Sequence, residues 1–339
     1  MDYKIKKISE VNTKLLRDFY KTAFPSRYKS LAIHWKWYYK IGFSNFEPLI
    51  LEYDSKIVGM AGLIPENLSF QGKIQEAIWF TDFYVLKDYR NKGFGSILTK
   101  EWMKICPIQI TFCNEESLKI FKKFNWKNNN KIYRKINPLN AFKLIPIIRN
   151  FNIDAKSKLL IKFLKKNLKE VKDIKPEKIN NKNLISYCEF EEKNKIDNEF
   201  FAIIRDEKWF RWRLIDCPYS SEIFEFKNNK DIVVCHISKI NNLTRLNILY
   251  TCIEDQENNE ILNLIYNWCL NNNIDFIWTL NTERNKIFKE TILDNLFLKK
   301  KINFAYWAKD NDQFTHLEKG LSNPQGFDSD LESILYQGE

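Results

Sequence analysis

The 339-residue chain contains nine glycines, and none falls between Gly95 and Gly320. Immediately before that stretch stands Arg90-Asn91-Lys92-Gly93-Phe94-Gly95, with two glycines separated by a single residue. In a chain so sparing of glycine, such a pair marks backbone that must turn left-handed or approach something closely. The apolar run from Ala77 to Leu86 reads as a buried strand, and Ile97, Leu98, Trp102 and Ile105 recur at helical spacing after the glycines. A strand, a glycine turn and a helix start make an anion site. Free N–H groups converge at the helix N-terminus, and the helix dipole adds positive potential. Arg90 and Lys92 add formal charge, so the sequence predicts a phosphate-bearing ligand.

Neither common nucleotide loop fits. The dinucleotide pattern G-x-G-x-x-G needs glycine where the chain has Leu98, and no G-x-x-x-x-G-K-[ST] segment occurs. Arg90 to Gly95 does match [RQ]-x-x-G-x-[GA]. Its flank, Val85-Leu86-Lys87-Asp88-Tyr89-Arg90, follows V-x-P-x-[YF]-R with Lys87 in place of proline. Downstream, the segment from Asn114 through Ser117 and Phe121 to Asn125-Trp126 follows N-x-x-[AS]-x-x-x-[YF]-x-x-x-[GN]-[FW]. Together these motifs resemble the GNAT acyltransferase superfamily over roughly residues 45–135.

The resemblance implies an α/β (α+β) fold, a mixed central sheet flanked by helices. It implies acetyl-CoA or another acyl-CoA as co-substrate, with no metal. The cofactor would lie between two splayed parallel strands, residues 77–86 and 108–113, its diphosphate on the glycine loop. Cofactor contacts would fall to Phe83, Val85, Arg90, Asn91, Lys92, Gly93, Phe94, Gly95, Ser96, Asn114 and Phe121. Asn114 reads equally well as a helix cap. The catalytic candidates are Val85, whose N–H would meet the thioester carbonyl, and Asp82 and Glu76 as bases for an acceptor ammonium. Asp82 interrupts an apolar strand, where an unpaired carboxylate is costly; pairing with a Lys or Arg is the competing structural reading. Many family members carry Tyr at the position of Phe121, which has no proton for the departing thiolate. Tyr133 or solvent would then stand in, and a thiol is already a fair leaving group. His34, beside Trp35, is a further acceptor-side candidate.

The length suggests two domains, and 44% hydrophobic with 15% aromatic residues suffices for real cores. No apolar run reaches eighteen residues, and the N-terminal segment alternates like a strand rather than carrying a signal peptide's core. Seven cysteines without C-x-x-C pairing fit a reducing, cytoplasmic setting, and three scattered histidines make a zinc site unexpected. The net charge of +11 lacks aromatic-interleaved basic stripes, so no nucleic-acid partner is expected.

The second half echoes the first. Lys36-Trp37 resembles Arg211-Trp212 at an offset of 175 (212 − 37). Residues 114–121 share five of eight identities with residues 281–288, at an offset of 167 (281 − 114). The expected organisation is a GNAT domain at 1–136, a basic helical connector at 137–183, a degenerate GNAT-like domain at 184–310 and a C-terminal tail at 311–339, turn-rich from Gly320 onward. The second half has no glycine near its helix start, around 254–261, and is expected not to bind cofactor. Within the connector, residues 158–169 have an apolar face and a lysine face. Packing on a domain is the expectation there, and an anionic membrane surface the lesser reading.

The sequence therefore reads as an acyl-CoA-dependent N-acyltransferase that delivers acetyl to a small-molecule amine. An amino sugar or nucleotide-linked amino sugar is the preferred acceptor. Trp35, Trp37, Trp209 and Trp212 offer stacking faces, and Arg211-Trp212-Arg213 resembles segments of large two-part family members. Peptide, protein or antibiotic amines are the alternatives, as is acyl-CoA binding without turnover.

Overall fold

Apolar runs become strands as their spacing predicts. β1 (Tyr3–Lys7), β2 (Leu49–Tyr53), β3 (Lys56–Phe70) and β4 (Lys73–Val85) pair antiparallel in that order. β5 (Ile108–Cys113) runs parallel to β4. Between β1 and β2 lie α1 (Thr13–Ala23) and α2 (Tyr28–Tyr38); α3 (Phe94–Met103) joins β4 to β5, and α4 (Glu115–Lys122) leads to β6 (Lys127–Pro138). The helices start where side chains can cap them. Asn12 accepts from the Lys14 N–H at the head of α1, and Asn114 from the Ser117 N–H at the head of α4, each at 2.8 Å.

The computed structural model describes residues 2–139, 174–193, 200–240, 242–253, 260–282, 298–322, 324–326 and 328. Its later elements are β7 (Glu177–Lys178), α5 (Asn183–Lys193), β8 (Ala202–Ile203), α6 (Glu207–Phe210), β9 (Ile223–Lys227), β10 (Ile232–Ile240) and β11 (Leu243–Cys252). They are followed by α7 (Glu260–Asn271), β12 (Phe276–Thr282), β13 (Leu298–Ala308) and α8 (Asn311–Glu318). The amphipathic segment 158–169 lies outside the described residues, as do the echo residues 283–288.

The pairing order of the first half recurs in the second. β7, β9, β10 and β11 pair antiparallel in sequence, and β12 runs parallel to β11. Ile78 and Trp79 face Gln109 and Ile110; Arg245 and Leu246 face Phe276 and Ile277. Both strands have shifted by 167 residues (245 − 78 and 276 − 109). The final strands are exchanged. β13 pairs with β5, whereas β6 pairs with β12, and β6 and β13 pair with each other. One thirteen-stranded sheet results, in the order β1-β2-β3-β4-β5-β13-β6-β12-β11-β10-β9-β7 with β8 on β3.

One face of this sheet carries a single continuous core, to which α1, α2, α5, α6 and α8 all contribute. The other face carries two separate cores, one under α3 and α4 and one under α7. Trp37 and Trp212 meet on the continuous face. Each indole N–H donates to the other's main-chain carbonyl, at 2.9 and 2.8 Å, a reciprocal contact between residues 175 apart.

The exchange revises the expected boundaries. Residues 1–136 do not close on themselves, because the strand beside β5 comes from residues 298–308. Residues 177–178 are a strand rather than connector, and residues 311–318 are a helix whose Leu317 is buried.

Candidate active site

β4 and β5 pair only at Ile78–Gln109 and Trp79–Ile110. The Thr111 hydroxyl donates to the Phe80 carbonyl at 2.7 Å, a last tie before the strands part. Past it β4 bulges: Met60 faces Tyr84 and Gly62 faces Thr81, so Asp82 and Phe83 together oppose Ala61. Asp82 takes a left-handed φ of 48°. Gly62 is required here. A Cβ on it would lie 2.8 Å from the Thr81 carbonyl oxygen and 3.1 Å from the Tyr39 ring.

The bulge aims the end of β4 into the gap. The Leu86 N–H bonds the Val58 carbonyl at 2.9 Å, and antiparallel pairs alternate. The Val85 N–H therefore points away from β3, to the side β5 has left. Beyond Val85 the chain turns through Asn91 (φ 61°) and Gly93 (φ 82°) into α3. No side chain caps α3, and the Ile97 N–H is the first to return to Gly93, at 3.0 Å. The N–H groups of Phe94, Gly95 and Ser96 thus open outward at the positive end of the helix. Gly95 leaves its Cβ position vacant, 3.9 Å from both the Phe83 ring and the Val85 side chain, at the mouth of the cleft. This is a cradle that residues 93–96 can offer a diphosphate.

The remaining sequence candidates fall into two groups. Near the cleft, the Arg90 guanidinium folds back, its Nε donating to the Val85 carbonyl at 3.0 Å with its face over Tyr84; it braces the loop. Lys92 is exposed and lies over the Tyr89 ring, 5.1 Å from its centre. Asn114 uses its side-chain oxygen as the α4 cap, the structural reading of that residue. Phe121 is buried in an aromatic stack with Phe80, Trp102 and Trp126, and walls the cleft on the α3–α4 side.

Other candidates are elsewhere. Glu76 is exposed nine positions before Val85, which at strand rise is about 30 Å away, too far to act as base there. Tyr133 lies on β6, two strand spacings or about 10 Å from β5, because β13 intervenes. His34 packs edge-on against Tyr219. Trp35, Trp209 and Trp212 are buried core side chains, so they offer no open stacking face to a sugar.

Asp82 is buried and fully engaged, as the structural reading anticipates. One carboxylate oxygen takes the Arg27 guanidinium, and the other accepts from the Tyr39 hydroxyl at 2.8 Å. Burial would lower the Arg27 pKa, but the Asp82 carboxylate outweighs it and holds the guanidinium charged. Burial, reinforced by Asp82, pushes the Tyr39 and Tyr20 hydroxyls upward, so both stay protonated. Arg27, Tyr39, Gly62 and Thr111 were missed from sequence; Arg27 and Asp82 stand 55 residues apart with no local motif joining them. Among the described residues, no three His, Cys, Asp or Glu side chains group as a metal site, and no helix is long and apolar enough to cross a membrane.

A bulged strand parting from its parallel neighbour beside an uncapped, glycine-turned helix defines an acyl-CoA-type site. Residues 11–126 match the family model described as Acetyltransferase (GNAT) family, so the chain carries an acyltransferase domain of that family over this part of its length. No curated protein matches the chain in sequence. Among solved structures, N-myristoyltransferase from Saccharomyces cerevisiae with bound myristoyl-CoA superposes with a TM-score of 0.60 at 15% identity, covering 90% of this chain and 82% of that one. A GCN5-related N-acetyltransferase from Anabaena variabilis gives 0.59 at 12% identity, covering 90% and 72%. Another from Kribbella flavida gives 0.56 at 11%, covering 89% and 70%. At these identities the likeness is one of fold.

Proposed function

We propose that the chain transfers an acyl group, acetyl in the first instance, from coenzyme A to an amine by direct attack on the thioester. The observation that carries this reading is the juxtaposition of the uncapped α3 start with the gap between β4 and β5. The diphosphate would rest on the N–H groups of residues 94–96, and the pantetheine arm would pass Phe83 into the gap. The Val85 N–H would then donate to the carbonyl oxygen as it gains charge in the tetrahedral intermediate. A solved structure of the same fold holding myristoyl-CoA supports an acyl-CoA as the ligand.

The acceptor approaches from the face opposite α3, where Asp82, Arg27 and Tyr39 form the wall. With Asp82 committed to Arg27, its part is to fix the bulge and hence the Val85 N–H. The amine must arrive neutral, so the rate on a given amine should rise with pH toward that amine's own pKa. An amino-sugar acceptor loses three of the four tryptophan faces expected to stack on it, Trp37 being half-buried, and an amine of unspecified class replaces it. We also read β7 to β12 as a second, loop-less GNAT-like unit, supported by the repeated pairing order and the common 167-residue shift. The test is thiol release from acetyl-CoA with a panel of amino sugars, amino acids and peptides. Amine-dependent release supports transfer, whereas tight coenzyme binding without release on any amine sinks it.

A further inference from the structure

The second half has its own bulge. Val234 faces Tyr250 and Cys235 faces Ile248, leaving Leu249 as the extra residue, 167 positions after Asp82. Leu249 is apolar, so β11 brings no carboxylate to this point. An arginine nevertheless stands ready: Arg205 lies just ahead of α6 as Arg27 lies just ahead of α2. Its guanidinium reaches the Asp328 carboxylate at 2.7 Å, with both side chains fully buried. Asp328 is fixed in turn by the Gln325 N–H at 2.6 Å.

Between them, Gly326 lies directly on the main chain of β11. A Cβ there would stand 2.4 Å from the Ile248 carbonyl oxygen and 3.0 Å from the Leu249 Cα. Ile248 is also the last β11 residue paired with β12. The segment is tied in from its N-terminal side, where Leu321 bridges Phe201 and the Ser322 N–H bonds the Phe201 carbonyl at 3.0 Å.

We infer that residues 324–326 and 328 are an intramolecular occupant of the second half. They sit on the β11 bulge where it leaves β12, and they supply to Arg205 the carboxylate that Asp82 gives Arg27 in the first half. The chain closes its second strand-end cleft with its own C-terminal segment, so no acceptor or acyl group enters there. Glycine is needed at 326 because any side chain would strike β11, which accounts for one of the few glycines after the long gap in the sequence.

The test uses the full chain and amide hydrogen exchange read by mass spectrometry. Asp328→Asn removes the nearer carboxylate and leaves the buried Arg205 only the longer contact to Glu191, at 3.5 Å, and Gly326→Val cannot approach β11. In each, protection of the Leu249–Cys252 amides should fall by about 100-fold, while that of Phe83–Leu86 stays unchanged. Adding Leu249→Asp to Asp328→Asn places a carboxylate at the bulge, as in the first half, and should restore most of the loss. Should Asp328→Asn not fold, recovery of folded protein by Leu249→Asp supports the inference and failure to recover it overturns it. Unchanged exchange at 249–252 in both single variants also overturns it.

Discussion

Asp82 shows how a residue that looks catalytic in sequence becomes structural in space. Its carboxylate sits at 2% side-chain exposure against an arginine at 12%, so neither charge can lean on water. Asp82→Asn should therefore cost about 3 kcal/mol of stability in urea unfolding, most of it from stranding the Arg27 charge. Arg27→Met added to Asp82→Asn should recover part of that loss, and a single variant as stable as wild type contradicts the pairing. The glycine pair was legible because glycine is rare here and its conformations are specific; Gly93 takes the left-handed φ that only such a residue adopts without cost. Asp82 was legible as unusual, but its partner was not, since chain spacing carries no record of a contact across 55 residues.

At the scale of elements, the strands flanking the site were readable as apolar runs, α3 from its spacing and α4 from its Asn114 cap. The bulge was not. Two residues of β4 facing one of β3 is a matter of register, set by where Gly62 lets the strands approach. Gly62→Ala forces a methyl into the Thr81 carbonyl and the Tyr39 ring and should cost about 1–3 kcal/mol. Because the bulge orients the Val85 N–H, turnover should fall further than that loss of stability explains. Normal turnover per folded molecule would show that the bulge does not position the donor.

The whole molecule is bound together by exchange. The echoes at 175 and 167 residues pointed to a repeat, but not to the places β6 and β13 take, because a strand's own residues carry no record of which distant strand it pairs with. With each half completed by the other's last strand, unfolding should be a single calorimetric transition, and a chain of residues 1–139 should not fold alone; two separated transitions would contradict the exchange. Alkali should loosen it. Burial pushes the Cys106 thiol up to about 12 from 9.0 and raises Cys235, Cys252 and Cys269 as well. The unfolded thiols ionise first, so stability present below pH 9 is lost as pH climbs from there toward 12. Lys40, lowered to about 8 by burial, acts in the opposite sense between 8 and 10.5, as does Arg245, lowered to about 9, but they are two groups against four thiols. Melting temperatures should fall above pH 9, and a flat profile contradicts this balance. The most direct test of the site is calorimetric titration with coenzyme A. Wild type should bind one equivalent per chain, and Gly95→Leu, which fills the mouth of the cradle, should weaken binding by at least about 100-fold while remaining folded. Undiminished affinity in Gly95→Leu would contradict the account.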